Sequence, residues 1–135
     1  MTAAAPTPRI AVVDDDRGFR DYVADVLHRA GFEVSVAESG LRLVAALQVD
    51  RPDLIVLDVN MSWIDGFELC RALKRNPEWQ QIPVVFVSGR SSEADQTAGL
   101  AAGAVAFLCK PIDGRTLVAT VRKLLQESRL PEPPA

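Results

Sequence analysis

Four short apolar runs punctuate the chain, at residues 10–13, 54–57, 84–87 and 105–109. All are rich in branched or aromatic side chains. Continuous runs of this length predict strands buried on both faces, as in a parallel sheet. Residues 33–37 alternate polar with apolar instead, which predicts a strand with one exposed face or an edge position.

Helical periodicity fills the gaps. Phe19, Tyr22, Val23, Val26, Leu27 and Ala30 recur at three- and four-residue spacing, and Gly31 follows as a stop. Ser39 is placed to cap a helix carrying Leu41, Val44, Ala45 and Leu47. Asp65 and Glu68 have capping-box spacing ahead of Leu69, Ala72 and Leu73, and Pro77 closes that region. Ser92 introduces an alanine-rich helix through Ala94, Ala98 and Ala101. Its small side chains bury little, so it should be the least firmly packed helix. Asp113 precedes a final stripe of Leu117, Val118, Val121, Leu124 and Leu125.

The order is a β-α unit repeated five times. It predicts an α/β fold of three layers, a five-stranded parallel sheet flanked by five helices with right-handed crossovers. The alternating second strand favours the edge and hence the order 2-1-3-4-5, the flavodoxin-like arrangement. Residues 1–8 read as a flexible N-terminus, 9–125 as the domain and 126–135, with Pro131, Pro133 and Pro134, as a tail or linker.

Composition narrows the class. With 135 residues, 48% of them hydrophobic and 24% charged, the chain has globular proportions and little left for a second domain. A net charge of -3 gives no electrostatic footprint for nucleic acid. No apolar run approaches the roughly 20 residues that span a bilayer, and no signal-peptide pattern opens the chain. A cytoplasmic protein that does not bind nucleic acid or membrane directly is expected. Cys70, Cys109 and a lone His28 are too few for a zinc site. Both thiols are expected to be buried and free, and His28 to be structural, near a helix C-terminus.

Open parallel sheets bind ligands beyond the carboxyl ends of their strands. Here those ends carry Asp14-Asp15-Asp16, Asp58, Ser88-Gly89 and Lys110-Pro111. An aspartate run after a strand can simply cap a helix, and a Lys-Pro pair can simply be a loop. Agreement among four strand ends favours a site instead. Clustered carboxylates repel, and oxygen-only ligands suit a hard cation such as Mg²⁺. An aspartate beside such a cation can attack phosphorus, with a lysine and a serine hydroxyl pairing with phosphoryl oxygens.

These motifs, together with Pro52-Asp53 before the third strand, Met61, the Asp65-Gly66 turn and Gly103-Ala104 leading to Phe107, resemble a response-regulator receiver domain of two-component signalling. The resemblance covers about residues 9–125. It implies Asp58 as phosphoacceptor, Asp14 and Asp15 as the acidic pair for Mg²⁺, and the Asn60 backbone carbonyl as a further ligand. Ser88 and Lys110 would bond phosphoryl oxygens, and the Lys110–Pro111 peptide would be cis. Phe107 would be the switch aromatic, rotating inward as Ser88 moves. A histidine kinase or phosphotransfer protein would donate the phosphoryl group. An unknown downstream protein would read the face of the fourth helix, fifth strand and fifth helix, across which a homodimer could also form.

Two departures stand out. Ser62 follows Met61 where the family usually has proline, which loosens the loop supporting Asp58 and Asn60. Gly89 replaces a common alanine, and Arg90 follows it. Asn60 and Arg90 are therefore expected to tune phosphoryl lifetime. Trp63, five residues past Asp58, is expected to report ligand binding by fluorescence. Rival readings are a Mg²⁺-dependent phosphohydrolase with an aspartyl nucleophile, a nucleotide-binding domain and a phosphorylation-independent scaffold. The first would need an acid/base aspartate where Asn60 stands. The second lacks a glycine-rich turn after the first strand. The full set of Asp14, Asp15, Asp58, Ser88 and Lys110 argues against the third.

Overall fold

The computed structural model describes residues 7–61 and 64–129. Its elements alternate strictly: β1 (Arg9–Val13), α1 (Arg17–Arg29), β2 (Glu33–Ala37), α2 (Gly40–Leu47), β3 (Leu54–Leu57), α3 (Gly66–Arg75), β4 (Val84–Ser88), α4 (Glu93–Ala101), β5 (Ala106–Cys109) and α5 (Gly114–Arg129). The five strands form one sheet in the order β2-β1-β3-β4-β5, and every pairing is parallel.

Strand alternation divides the core into two apolar clusters. Ala11, Val13, Ile55, Leu57, Val84 and Phe86 face α2 and α3, where Leu43, Leu47, Leu69 and Leu73 are buried against them. Ile10, Val12, Leu54, Val56, Val85 and Val87 face α1 and α5, meeting Val23, Leu27, Leu117, Val121 and Leu125. The central strands β1, β3 and β4 are thus buried on both faces, which explains why their sequences read as unbroken apolar runs.

Edge position accounts for the departures at β5. Val105 lies outside the strand and is 48% exposed. Ala106, Phe107 and Leu108 are half-buried and Cys109 is exposed. The expectation of two buried thiols therefore holds only for Cys70. At α2 the inward face is Leu43 and Leu47, four residues apart, whereas Leu41 is 78% exposed. Helix rotation is set here by the close approach of Gly40: a Cβ on it would stand 2.9 Å from Ile64 and 3.1 Å from Leu69. α5 continues through Arg129, so residues 126–129, expected to belong to the tail, extend the helix. The rest of the tail, residues 130–135, and residues 1–6 lie outside the described residues.

Helix starts follow the sequence signals closely. Asp16, Ser39, Asp65 and Ser92 are the N-caps of α1, α2, α3 and α4, each accepting a backbone N–H of its first turn. At α3 the cap consists of Asp65 accepting the Glu68 N–H at 2.8 Å. The reciprocal box forms at α4 instead, where Ser92 Oγ accepts from Asp95 N and the Asp95 carboxylate accepts from Ser92 N, both at 3.1 Å. Of the α4 residues only Gly99 is buried, in line with a loosely anchored helix whose start depends on its cap. Ser92→Ala is expected to lower stability by about 1 kcal/mol, and hydrogen exchange should localise the loss to the first turn of α4.

Candidate functional site

The aspartate run after β1 divides between two jobs. Asp16 caps α1, accepting the Gly18 N–H at 3.1 Å. Asp14 turns under the sheet edge and is 2% exposed. Its Oδ1 accepts the Asp16 N–H at 2.9 Å, and its backbone carbonyl accepts from Arg20 at 2.8 Å. Asp15 stays exposed. Asp58 prolongs the β3 ladder by donating its N–H to the Val13 carbonyl at 3.1 Å, and it is 7% exposed. Asp14, Asp15 and Asp58 each offer a carboxylate oxygen, all lying within 4.8 Å of one another.

Lys110 reaches into this cluster from the end of β5. Its Nζ lies 2.9 Å from Asp14 Oδ2 and 3.5 Å from Asp58 Oδ2. Its backbone N–H donates to the Ser88 carbonyl at 2.9 Å, and the Lys110–Pro111 peptide is cis. Ser88 is fully buried at the end of β4, with its Oγ accepting the Arg90 N–H at 3.1 Å. Four strand ends thus converge, as the sequence implies. Asn60 is exposed two residues beyond Asp58. Ser62 and Trp63, with the expectations placed on them, lie outside the described residues.

Two further residues flank the site. Arg90, expected to tune phosphoryl lifetime, pairs its guanidinium with Asp95 at 2.7 Å and lies 5.6 Å over the Phe67 ring. Hydrogen bonds, first from Ser92 and then from Arg90, hold the Asp95 carboxyl below its usual value. Phe107 is already half-buried, its ring 5.8 Å from that of Phe86. Gly99 makes the room: a Cβ there would stand 2.8 Å from the Phe107 ring. The ring is thus packed beside Phe86 and over Gly99.

The electrostatics of the cluster suit a cation. Burial pushes the Asp14 carboxyl above its ordinary value, and the Asp58 charge adds to this, while the Asp16 N–H and Lys110 oppose it. Three all-oxygen donors, two of them buried, match the preference of a hard divalent ion for carboxylates and water. The raised Asp14 value means that its charged form costs stability at neutral pH. That cost fades as pH falls through the folded value toward 3.8. In metal-free buffer Asp14→Asn is expected to be more stable than the parent at neutral pH and to lose the advantage on acidification. With Mg²⁺ at a hundred times its Kd, the parent should gain about 2.7 kcal/mol and Asp14→Asn much less; thermal unfolding with and without EDTA checks both.

The class is an open parallel α/β domain whose strand ends bring together an acidic cluster, a hydroxyl and an ammonium. Residues 10–122 match the family model described as the response regulator receiver domain. The chain belongs to that family.

Its sequence is 38% identical over 119 residues to the transcriptional regulatory protein AfsQ1 of Streptomyces coelicolor, covering 88% of this chain and 52% of that protein. The fold is similar to the signal receiver domain of a signal transduction histidine kinase from Syntrophus aciditrophicus, with TM-score 0.85 and 31% identity over 96% of this chain and 98% of that one. It also resembles the chemotaxis response regulator CheY4 of Vibrio cholerae, with TM-score 0.82 and 31% identity over 88% of this chain and 99% of that one. The chain spans about half the length of most of the curated relatives it matches. The names of two of these longer relatives describe transcriptional regulatory proteins. Among the described residues, no helix is long and apolar enough to cross a membrane.

Sequence reasoning missed one neighbour of the site. Phe19 reads as part of the α1 apolar stripe, yet its ring centroid lies 4.0 Å from Lys110 Nζ. Its place one turn past the aspartate run was the available signal.

Proposed function

We propose that this domain is a phosphoacceptor switch, in which Asp58 takes a phosphoryl group from a phosphohistidine of a kinase or phosphotransfer protein. The observation that carries this reading is the Lys110 ammonium 3.5 Å from Asp58 Oδ2 inside a three-carboxylate cluster. An Asp58 oxygen attacks phosphorus, the P–N bond to the donor imidazole breaks, and the imidazole leaves with the bond's electron pair. Asp14, Asp15 and Asp58, with the Asn60 carbonyl, would hold Mg²⁺, which supplies charge neutralisation for the approaching phosphoryl oxygens. Lys110 exchanges its Asp58 contact for one phosphoryl oxygen. Ser88 Oγ, which accepts the Arg90 N–H, donates its own proton to another.

Movement of Ser88 would disturb the Arg90 N–H bond and, through the Arg90–Asp95 pair, the start of α4. Because Phe107 already rests on Gly99, the response is better described as α4 shifting against the ring. The face of α4, β5 and α5 then changes for a downstream protein, or for a second copy. Asn60 in place of an acid/base aspartate supports a switch over a turnover phosphohydrolase.

Incubation with acetyl phosphate and Mg²⁺ should add one phosphoryl group, about 80 Da, mapped to Asp58 by borohydride trapping. Retention of the label in Asp58→Asn would refute the assignment. No label should form when EDTA is present from the start, because the charge neutralisation for the approaching phosphoryl oxygens is withdrawn.

A further inference from the structure

Lys110 is held on three sides, and only two of them are carboxylates. Its Nζ lies 2.9 Å from Asp14 Oδ2, 3.5 Å from Asp58 Oδ2 and 4.0 Å from the centroid of the Phe19 ring. Phe19 belongs to the first turn of α1, directly after the Asp16 cap. Its ring stands 6.1 Å from that of Tyr22 one turn later. The Tyr22 hydroxyl donates to the Ile112 carbonyl at 3.2 Å, two residues beyond Lys110. A Cβ on Gly114 would lie 3.7 Å from the same hydroxyl. One face of α1 therefore grips the loop after β5 at two points, the ammonium and the backbone behind it.

An ammonium has three protons to place. A further carboxylate on the third side would compete with an incoming phosphoryl oxygen. An aliphatic side chain would leave an N–H against hydrocarbon, at a desolvation cost. An aromatic face attracts the cation without a directed hydrogen bond, so the ammonium can pivot between oxygens while its charge stays stabilised. The Lys110 side chain is only 21% exposed, so the attraction is partly shielded from water.

We propose that Phe19 is a positioning residue for phosphoryl transfer, holding the Lys110 ammonium over the carboxylate cluster through its ring face, with Tyr22 fixing the loop behind it. This rests on the phosphoacceptor reading of Asp58.

The test compares Phe19→Leu, which keeps apolar bulk and removes the ring, with Phe19→Tyr, which keeps the ring. The first readout is the rate of Asp58 labelling by acetyl phosphate, a donor too small to need a docking surface. Phe19→Leu is expected to label about fivefold more slowly, the factor that roughly 1 kcal/mol of cation–π attraction gives, and Phe19→Tyr within twofold of the parent. Mg²⁺ affinity should be nearly unchanged in both, because Asp14, Asp15 and Asp58 are untouched. The second readout is proton exchange at Lys110 Nζ by ¹⁵N NMR, which needs no phosphoryl transfer. Exchange should quicken severalfold in Phe19→Leu and stay near the parent value in Phe19→Tyr.

Equal exchange in the parent and Phe19→Leu, or equal acceleration in both variants, would overturn the proposal. If no variant and no parent protein is labelled, the phosphoacceptor reading fails, while the exchange measurement still decides whether Phe19 holds Lys110. Tyr22→Phe supplies a variant that leaves the tilted ring contact in place, and a modest quickening of exchange is expected from it.

Discussion

Gly66→Ala is expected to destabilise the domain by about 3 kcal/mol or more, near the upper end for overpacking. The added Cβ would stand 2.3 Å from the Asp58 carbonyl oxygen, 2.9 Å from Val59 Cα and 3.0 Å from the Phe86 ring. Two of these neighbours are backbone atoms, which cannot swing aside as a side chain can. Gly66 is also tied down from its own side, since its N–H donates to the Val59 carbonyl at 2.7 Å. Relief therefore requires the loop between β3 and α3 to move, and that loop carries Asp58. Stability and site geometry should fail together: urea unfolding would show the loss, and the folded fraction would bind Mg²⁺ more weakly. Gly89→Ala is the control. Nothing lies within 4 Å of a Cβ there, so a change within about 0.5 kcal/mol is expected.

Gly66 illustrates which features a sequence makes legible. Its place after an N-cap aspartate is readable, and α3 begins there. That it faces the backbone of Asp58 is a tertiary fact with no local signal. The same division runs through the fold. The strands β1, β3 and β4 were legible because burial on both faces leaves only apolar residues. The run ending in Cys109 looked alike, but β5 has a neighbour on one side only, and composition does not record how many neighbours a strand has. Within α2, Leu41 and Leu43 are chemically identical, and only the approach of Gly40 to Ile64 and Leu69 decides which turns inward. At the site, Asp14, Asp58, Ser88 and Lys110 were legible because strand ends in a parallel sheet must meet. Phe19 was hidden by an apolar stripe that already explained it. Periodicity assigns one role to a residue, and a ring serving both a helix face and an ammonium needs the third dimension to show the second.

Lys110→Ala is expected to change two measurements in opposite directions, slowing phosphoryl uptake about a hundredfold while tightening Mg²⁺ binding. The ammonium sits 2.9 Å and 3.5 Å from oxygens of two carboxylates in the cluster that a cation would enter. Two unit charges about 4 Å apart interact by roughly 4 kcal/mol at an effective dielectric near 20, so removing a resident cation favours another. The carboxylates left behind repel more strongly, which raises the cost of the metal-free state and the gain from filling it. Phosphoryl transfer has no such compensation, because a fixed donor for one phosphoryl oxygen is lost. A purely structural ion pair predicts a different pattern: lower stability, with uptake per folded molecule unchanged. Calorimetric titration with Mg²⁺ and labelling rates corrected for the folded fraction separate the two. Lys110→Arg retains the charge but replaces a pivoting point donor with a planar fork. It should therefore bind Mg²⁺ like the parent and still transfer slowly. Charge and geometry at this position are then separable by experiment, and on the proposed reading transfer should follow geometry.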